Sequence, residues 1–361
     1  ANDRRLYFQQ LKVVNKALFD YKKDTGKLDF VDMIERFIDE GDSPLLDVLI
    51  VDEAQDLAPM QWKMIHDVMK PRAKRVYFAG DDDQCIYSWM GVDVKDFLNA
   101  SDNKTILDKS YRLPRNIYNV ADSMVSQLGT RQKKVWMPKE EAGVVVWHHD
   151  MLGLDLTNGE WLILARTNYI ANKIATDLKE QGYLFWREGS GWSISPNVLT
   201  GIEVWLKLCK GTYLSAKELR ILSTLLKSDI VTKFGRKKLA TLDNELTYNL
   251  ESIRENFTTN VSAEMPWYDA LKVSERERIY ISSVRRMGEK ILTNKPRIKI
   301  STIHKAKGGE ADNVALLLDS SKPCAESPDQ DSEIRTFYVG ATRAKKALHI
   351  IESQSMYGFK I

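Results

Sequence analysis

The sequence has 361 residues, of which 43% are hydrophobic and 29% are charged, and its formal net charge is +3. That length allows two or three domains with their own cores, since a domain commonly has about 100–200 residues. The small net charge gives no argument for a nucleic-acid partner. Cys85, Cys209 and Cys324 lie far apart, which excludes a paired-cysteine zinc site and a disulfide framework and favours a reducing cytoplasm. No apolar run approaches the roughly 18 residues of a membrane helix, so we expect no membrane partner.

Two predicted strands in the first part of the chain each end in a polar segment. Residues 1–44 carry apolar residues at three- and four-residue steps, which predicts helices, the second at about 30–38. The apolar run 45–51 is typical of a buried parallel strand, and a second such run at 75–79 follows a helix predicted at about 59–70. This alternation indicates an open α/β sheet, which binds ligands at the carboxyl ends of its strands.

The same alternation returns later in the chain, interrupted by a helical stretch. Residues 200–293 lack strand signals and are mostly helical in pattern. Strand-like runs occur on both sides of that stretch, at 144–147, 161–165, 298–302, 314–318 and 347–351. The pattern therefore predicts an α/β domain that ends near residue 106, followed by a second α/β domain with a helical insert.

The polar segments after the first two strands have the residue types of a magnesium and phosphate site. In D-E-A-Q-D (52–56), Asp52 can hold Mg²⁺ at the end of the strand, and Glu53 can orient or deprotonate an attacking water. Two acids after a strand are equally consistent with a solvated turn. The second strand ends in G-D-D-D-Q (80–84), where Gln84 can sense a terminal phosphate. The two segments together favour the magnesium hypothesis.

Several aromatic and arginine residues gain meaning only from their context. Tyr87 and Trp89 can stack on bases without regard to sequence, although a tryptophan in a loop more often serves packing. Arg112, which follows Tyr111, and Arg343 have the character of a phosphate clamp that stabilises transition-state charge. A single arginine is by default a surface residue, so the motifs around these two arginines must show whether they bind phosphate.

Six short motifs in a fixed order provide that context. They are D-E-A-Q-D (52–56), G-D-D-D-Q-C-I-Y-S-W-M-G (80–91), S-Y-R-L-P-R-N-I (110–117), L-A-R-T-N (164–168), S-T-I-H-K-A-K-G-G-E (301–310) and F-Y-V-G-A-T-R-A-K-K-A-L (337–348). In this order they resemble motifs II to VI of the superfamily 1 helicases of the UvrD, Rep and PcrA type. The resemblance covers about residues 25–352, and its last two strings are specific to this branch.

The resemblance implies an α/β fold with two RecA-like parallel-sheet motor domains, the first incomplete, and helical inserts. The implied divisions are a helical remnant at 1–44, the rest of the first motor domain at 45–106, the second motor domain at 107–199 and 294–361, and its insert at 200–293. It implies a DNA-stimulated ATPase with ATP and Mg²⁺ as cofactors. It also implies 3′ to 5′ movement on single-stranded DNA and at junctions with duplex DNA, in a bacterial or phage-infected cytoplasm.

By position, the resemblance also implies roles for individual residues. At the nucleotide it places Asp52 on Mg²⁺, Glu53 on the attacking water, Gln84 on the γ-phosphate, Tyr111 on adenine, Glu310 on the ribose with Gly308 in the same string, and Arg112 and Arg343 as arginine fingers. Along the single-stranded DNA it places Tyr87, Trp89, Thr302 and His304, with Trp89 as the main stacking residue. By itself, His304 would more often be a surface or core histidine.

The sequence departs from the family in three places. Met90 stands where relatives usually carry arginine or a similar polar residue, which puts one DNA or backbone contact in doubt, and Ser110 replaces the asparagine of an N-Y-R motif. The phosphate-binding string G-x-x-x-x-G-K-[ST] does not occur, and Gly26-Lys27 lacks the first glycine and the preceding strand. We therefore expect a truncated piece whose upstream part carries that loop. The alternative is a non-hydrolysing DNA-binding or scaffolding module that lost the loop naturally.

Overall fold

The computed structural model of the protein describes residues 8–231, 235, 237–238, 242–257, 261–288 and 297–361. Parts of three predicted segments lie outside the described residues. They are 1–7 of the helical remnant, 294–296 of the second motor domain, and 232–234, 236, 239–241, 258–260 and 289–293 of the helical insert. The α-helices are α1 (Phe8–Thr25), α2 (Phe30–Glu40), α3 (Pro59–Met64), α4 (Val94–Leu98), α5 (Arg115–Val125), α6 (Asn168–Glu180), α7 (Pro196–Cys209), α8 (Ala216–Leu225), α9 (Leu250–Asn256), α10 (Trp267–Ala270), α11 (Glu275–Arg286), α12 (Lys322–Ala325) and α13 (Gln330–Ala341).

The strands are β1 (Leu49–Val51), β2 (Val76–Phe78), β3 (Lys109–Pro114), β4 (Met137–Lys139), β5 (Val144–His148), β6 (Trp161–Ala165), β7 (Phe185–Arg187), β8 (Gly191–Trp192), β9 (Leu214–Ser215), β10 (Thr247–Tyr248), β11 (Ile298–Thr302), β12 (Ala311–Leu317) and β13 (Ala344–Ile351).

The described residues form two compact units. The first unit comprises the described residues up to 108 together with 125–137 and 329–338, and the second comprises 109–124, 138–328 and 339–361. The four-part domain division given above stays a prediction.

The first unit contains the parallel strand pair β1 and β2 and the helix between them. Trp62 of α3 holds that helix against β2, with its ring centroid 5.3 Å from that of Phe78 and 5.5 Å from that of His66. The helix predicted at about 59–70 is α-helical only in α3 and continues as a π-turn and a 3₁₀ turn. The α-helix does not resume after the π-turn, because Pro71 has no amide hydrogen for an α-helical hydrogen bond.

The second unit contains a seven-stranded sheet with the order β5-β13-β12-β6-β11-β7-β8. Every pairing is parallel except that of β7 with β8. All five side chains of the central strand β6 are buried, as expected for a parallel strand covered on both faces. The predictions of strands at 161–165 and 298–302 and of an α/β fold with a parallel sheet are confirmed. The short strands β7 and β8 were not predicted, because so few residues carry no periodic pattern.

The helical stretch of the second unit has its own core. The indole of Trp205 in α7 is fully buried and donates a hydrogen bond to the carbonyl of Met265 at 3.0 Å. The prediction that this stretch has no strands was wrong at one place, where β9 and β10 form a two-residue antiparallel pair. Within the described part of the chain, no helix combines the length and apolar character needed to cross a membrane.

A pair of histidines lies between β5 and β13. The Nε2 atom of His148 is 2.9 Å from the Nδ1 atom of His349, and the ring centroid of Trp161 lies 4.8 Å from that of His349. Burial lowers the pKa of His349, and the neighbouring His148 lowers it further. The folded protein therefore favours the neutral imidazole, which stabilises it above pH 6.5, and this stability is lost as the pH falls through the lowered pKa.

Replacing His349 with glutamine should remove this pH-dependent part of the stability. The difference in the free energy of unfolding between the wild-type protein and His349→Gln should shrink as the pH falls below 6.5. Urea unfolding followed by tryptophan fluorescence above and below that pH measures the difference. His149→Gln is the control, since 77% of that side chain is exposed. A difference that does not change with pH contradicts the prediction.

Candidate functional site

The loops that follow β1 and β2 meet at one edge of the first unit's sheet. The amide of Ala79 donates to the carbonyl of Val51 at 2.8 Å, and the amide of Ala54 donates back to the carbonyl of Ala79 at 2.9 Å. The strands run parallel, so their carboxyl ends lie side by side. The two polar segments singled out in the sequence are therefore neighbours in space.

Glu53 is held in a strained backbone conformation beside Asp52. Its φ of 50° lies in the left-handed region, and among the described residues it is the one non-glycine with positive φ. Such a conformation is unfavourable by about 1–3 kcal/mol, and strain of this kind concentrates at functional sites. The Asp52 carboxylate accepts the amide of Glu53 at 2.9 Å, and both side chains are exposed. Two solvent-facing carboxylates at a strand end fit the oxygen ligands that Mg²⁺ prefers.

A chain of hydrogen bonds joins Glu53 to Gln84. The amide group of Gln55, which is 1% exposed, donates to the Glu53 carboxylate at 2.6 Å. Its oxygen accepts the backbone amide of Asp81 at 3.0 Å, and the Asp81 carboxylate accepts Nε2 of Gln84 at 2.7 Å. The structure thus brings the predicted water-activating and phosphate-sensing residues together through Gln55, a connection that the sequence did not reveal.

The three-aspartate turn (Asp81–Asp83) is bound by Lys134. Carboxylate oxygens of the turn lie within 4.8 Å of one another, a spacing at which a metal ion could bind. The ammonium of Lys134 instead lies 2.5, 2.7 and 3.0 Å from Asp81, Asp82 and Asp83. Arg131 adds a two-pronged pair with Asp83, at 2.9 Å from Nε and 3.0 Å from Nη2. The turn therefore does not fit a metal ion, because the Lys134 ammonium already occupies the place between the three carboxylates.

The charges of this turn follow from burial and from Lys134. Burial opposes the charge of Lys134, but the three aspartates outweigh it and raise the pKa of that amine. Burial also opposes the charge of Asp81, but Lys134 and the hydrogen bond from Gln84 lower its pKa. Burial raises the pKa of Asp83, against the effect of Arg131 and Lys134, and the other two aspartates add to the increase. Lys134 and Arg131 were not predicted as site residues, since nothing local links them to the turn.

Tyr87 and Trp89 follow the three-aspartate turn directly. Trp89 is 72% exposed, and its ring lies edge-on to that of Tyr87 with the centroids 6.4 Å apart. Burial raises the pKa of Tyr87, and the charges of Asp56 and Glu53 raise it further. The two predicted base-stacking residues are therefore neighbours of each other, and the charge of the predicted catalytic carboxylate Glu53 acts on Tyr87.

In the second unit, the string 301–310 comprises the end of β11 and the loop that leads to β12. Thr302 is only 7% exposed, and its hydroxyl accepts the amide of Lys305 at 3.4 Å, while His304 is half-buried. Gly308 has a φ of 81°, which glycine adopts without strain. Glu310 is exposed and lies 3.4 Å from the ammonium of Lys345. The loop thus offers an exposed Glu310, whereas Thr302 at the end of β11 is mostly buried.

Arg343 lies against the same loop and is 1% exposed. Its guanidinium donates to the carbonyl of Val339 at 2.9 Å, to the hydroxyl of Thr342 at 3.1 Å and to the carbonyl of Gly309 at 3.4 Å. The default expectation of a surface arginine was wrong here. Any role at a phosphate requires that some of these hydrogen bonds be exchanged.

Tyr111 and Arg112 lie on β3, which was not predicted as a strand. Tyr111 is 79% exposed, and the ammonium of Lys109 lies 5.3 Å from its ring centroid. The hydroxyl of Ser110 accepts the amide of Arg112 at 3.3 Å. The predicted site residues divide between the units, with Asp52, Glu53, Gln84, Tyr87 and Trp89 in the first and Tyr111, Arg112, Thr302, His304, Gly308, Glu310 and Arg343 in the second.

Two family models match the chain. Residues 2–105 match the UvrD/REP helicase N-terminal domain, and residues 231–355 match the UvrD-like helicase C-terminal domain. Together these two models of one helicase family account for both ends of the chain, in the order in which the motifs occur.

Similar curated proteins are bacterial helicases. An ATP-dependent DNA helicase PcrA from Leuconostoc citreum is 25% identical over 43% of this chain and 25% of its own length. A DNA helicase II from Haemophilus influenzae is 33% identical over 27% of this chain and 14% of its own length. A probable DNA helicase II homologue from Mycoplasma pneumoniae is 22% identical over 97% of this chain and 62% of its own length. The chain therefore spans less than two thirds of each of these relatives.

Proposed function

This chain belongs to the UvrD-like helicase family, and from that premise we propose that it forms part of an ATP-dependent DNA motor that moves 3′ to 5′ along single-stranded DNA and opens junctions with duplex DNA. The observation that supports this most directly is the hydrogen-bond chain from Glu53 through Gln55 and Asp81 to Gln84. It joins the carboxylate of the strained Glu53, which follows β1, to the side-chain amide of Gln84 in the segment that follows β2. The cytoplasm is the proposed location, as the separate cysteines suggest.

In the proposed mechanism, each side chain acts at a stated place. Mg²⁺ would neutralise developing phosphate charge when it is bound, and Asp52 would hold it. Glu53 accepts a proton from the attacking water, and Gln84 donates its amide to the terminal phosphate. Arg112 and Arg343 stabilise transition-state charge, which for Arg343 requires release from the carbonyl of Gly309.

The remaining proposed nucleotide and DNA contacts use exposed surfaces. Tyr111 stacks on adenine, and Glu310 with Gly308 lies at the ribose. Trp89 stacks on bases, with Tyr87 at its edge, and Thr302 and His304 line the strand path in the second unit. Stacking suits a motor because every base has a π-face, so the contact tolerates any sequence.

By itself, this chain should hydrolyse ATP poorly, yet bind single-stranded DNA in a salt-sensitive way. The sequence has carboxylates for Mg²⁺ but no G-x-x-x-x-G-K-[ST] string to hold the phosphates. Phosphate release measured with and without single-stranded DNA, beside a binding titration, tests both parts. Strong DNA-stimulated hydrolysis that Glu53→Gln abolishes would refute the account of the phosphates while supporting Glu53. Absence of any DNA binding would refute the proposed function.

The second candidate is a DNA-binding or scaffolding module that does not hydrolyse ATP. The presence of Glu53, Gln84, Arg112 and Arg343 favours the motor over this module. The coding sequence that surrounds this chain separates the two. A frame that continues upstream into a G-x-x-x-x-G-K-[ST] string supports the motor, and a frame without one supports the module.

A further inference from the structure

The three-aspartate turn is held on one side by segment 129–134. Besides the contacts of Lys134 and Arg131, the backbone amide of Gln132 donates to the Asp82 carboxylate at 2.8 Å. The contact is buried, since the side chains of Asp83, Asp82 and Lys134 are 0%, 4% and 12% exposed. The side chains and backbone of segment 129–134 therefore fix the position of the whole turn.

Segment 129–134 is itself fixed by α13. The Asp331 carboxylate accepts the backbone amides of Gly129 at 3.1 Å and Thr130 at 2.9 Å. Arg335, which is 4% exposed, donates to the carbonyl of Asp82 at 2.9 Å and also to the carbonyl of Thr130. All these residues lie in the first unit. The turn and the segment are thus held from the same helix.

The loop that carries Trp89 starts from this turn. Gln84 ends the turn and donates to Asp81, and the next residues enter the interior, where Ile86 is fully buried. The Ser88 hydroxyl lies 3.0 Å from that of Ser332. Trp89 then projects with 72% of its surface exposed. Its position is therefore set from the buried base of the loop.

We propose that Lys134 is a positioning residue for DNA binding, which acts by fixing the three-aspartate turn and through it the loop that presents Trp89. This inference rests on the proposed function, in which Trp89 stacks on single-stranded DNA. Lys134 itself faces the carboxylates, so in this proposal it acts on DNA binding through them and not through a contact with the DNA strand. An ammonium suits this place because its three donors lie on one compact charge, so that each can meet one of the three converging carboxylates.

The test is a double-mutant cycle between Lys134 and Trp89, read by fluorescence anisotropy with labelled oligothymidylate at several salt concentrations. Lys134→Met should weaken DNA binding by about fivefold to tenfold. That factor lies within the range of interaction energies measured between residues of one ion-pair network. In a Trp89→Ala background the same change should have little further effect, and the salt slope should not change. Lys133→Met, which removes the same charge from an exposed neighbour, is the control and should bind like the wild-type protein.

Lys134→Met removes the cation beside the buried carboxylate of Asp82, so circular dichroism must show that the variant folds. Asp81→Asn is the second variant, since it keeps an acceptor for Gln84 but loses the charge that orients Lys134. It should weaken DNA binding less than Lys134→Met does, and this loss should also vanish in the Trp89→Ala background. Unchanged affinity in both variants overturns the inference. A loss that persists in the Trp89→Ala background, with a salt slope lower by about one, overturns it in favour of a phosphate contact. A wild-type chain that binds no DNA overturns the proposed function and this inference with it.

Discussion

Replacing Asp83 with alanine should lower the free energy of unfolding of the first unit by about 3–5 kcal/mol. The Asp83 side chain has no exposed surface and is paired with both Arg131 and Lys134. Removing it leaves the guanidinium of Arg131, which is 15% exposed, without its two-pronged partner. The large effect measures the cost of removing one partner of a buried ion pair, and not the net contribution of the pair.

Thermal unfolding, with hydrogen exchange followed in the peptides that contain residues 81–86 and 129–134, measures this effect. Asp102→Ala is the control, since that aspartate is exposed and should change the stability by no more than about 0.5 kcal/mol. The double variant Asp83→Ala, Arg131→Met should lose less than the sum of the single variants, because both report one interaction. A loss below about 1 kcal/mol for Asp83→Ala would show that the turn is not held by these charges.

Replacing Trp89 with alanine should weaken binding of single-stranded DNA by about 1–3 kcal/mol, the usual contribution of one stacked base. Trp89 is 72% exposed, so its truncation leaves no cavity and should not change the stability of the first unit. The loss should be similar for different base sequences, because stacking does not depend on base identity. The salt dependence should remain the same, since the indole carries no charge.

Equilibrium titration of labelled oligonucleotides of several base compositions tests this expectation. Trp147→Ala is the matched control, because Trp147 is 48% exposed on β5 of the second unit and has no proposed DNA contact. Equal affinities of Trp89→Ala and the wild-type protein would remove Trp89 from the DNA path. A loss confined to one base composition would indicate recognition of base edges and not stacking.

The sequence by itself determined the parts of this protein that depend on neighbouring residues. The continuous apolar run at 161–165 predicted strand β6 at its observed bounds, because a parallel strand covered on both faces needs apolar residues at every position. The strand-like run at 298–302 likewise predicted β11 at its observed bounds. The motif strings and their order gave the helicase family, which the family models confirm. The strand-end positions of Asp52 and Gln84 also followed from local pattern.

The tertiary structure decided what depends on residues distant in the chain. Asp83 pairs with Arg131 across 48 residues, and no local pattern selects that partner from among the other basic residues. The left-handed backbone of Glu53 and the burial of Arg343 depend likewise on what packs around them. Periodicity reports which face of an element is apolar, whereas ion pairing and strain depend on the position of the partner in space. For that reason the sequence predicted the polar segments at the ends of β1 and β2, and the structure added Lys134, the cation that binds the three-aspartate turn after β2.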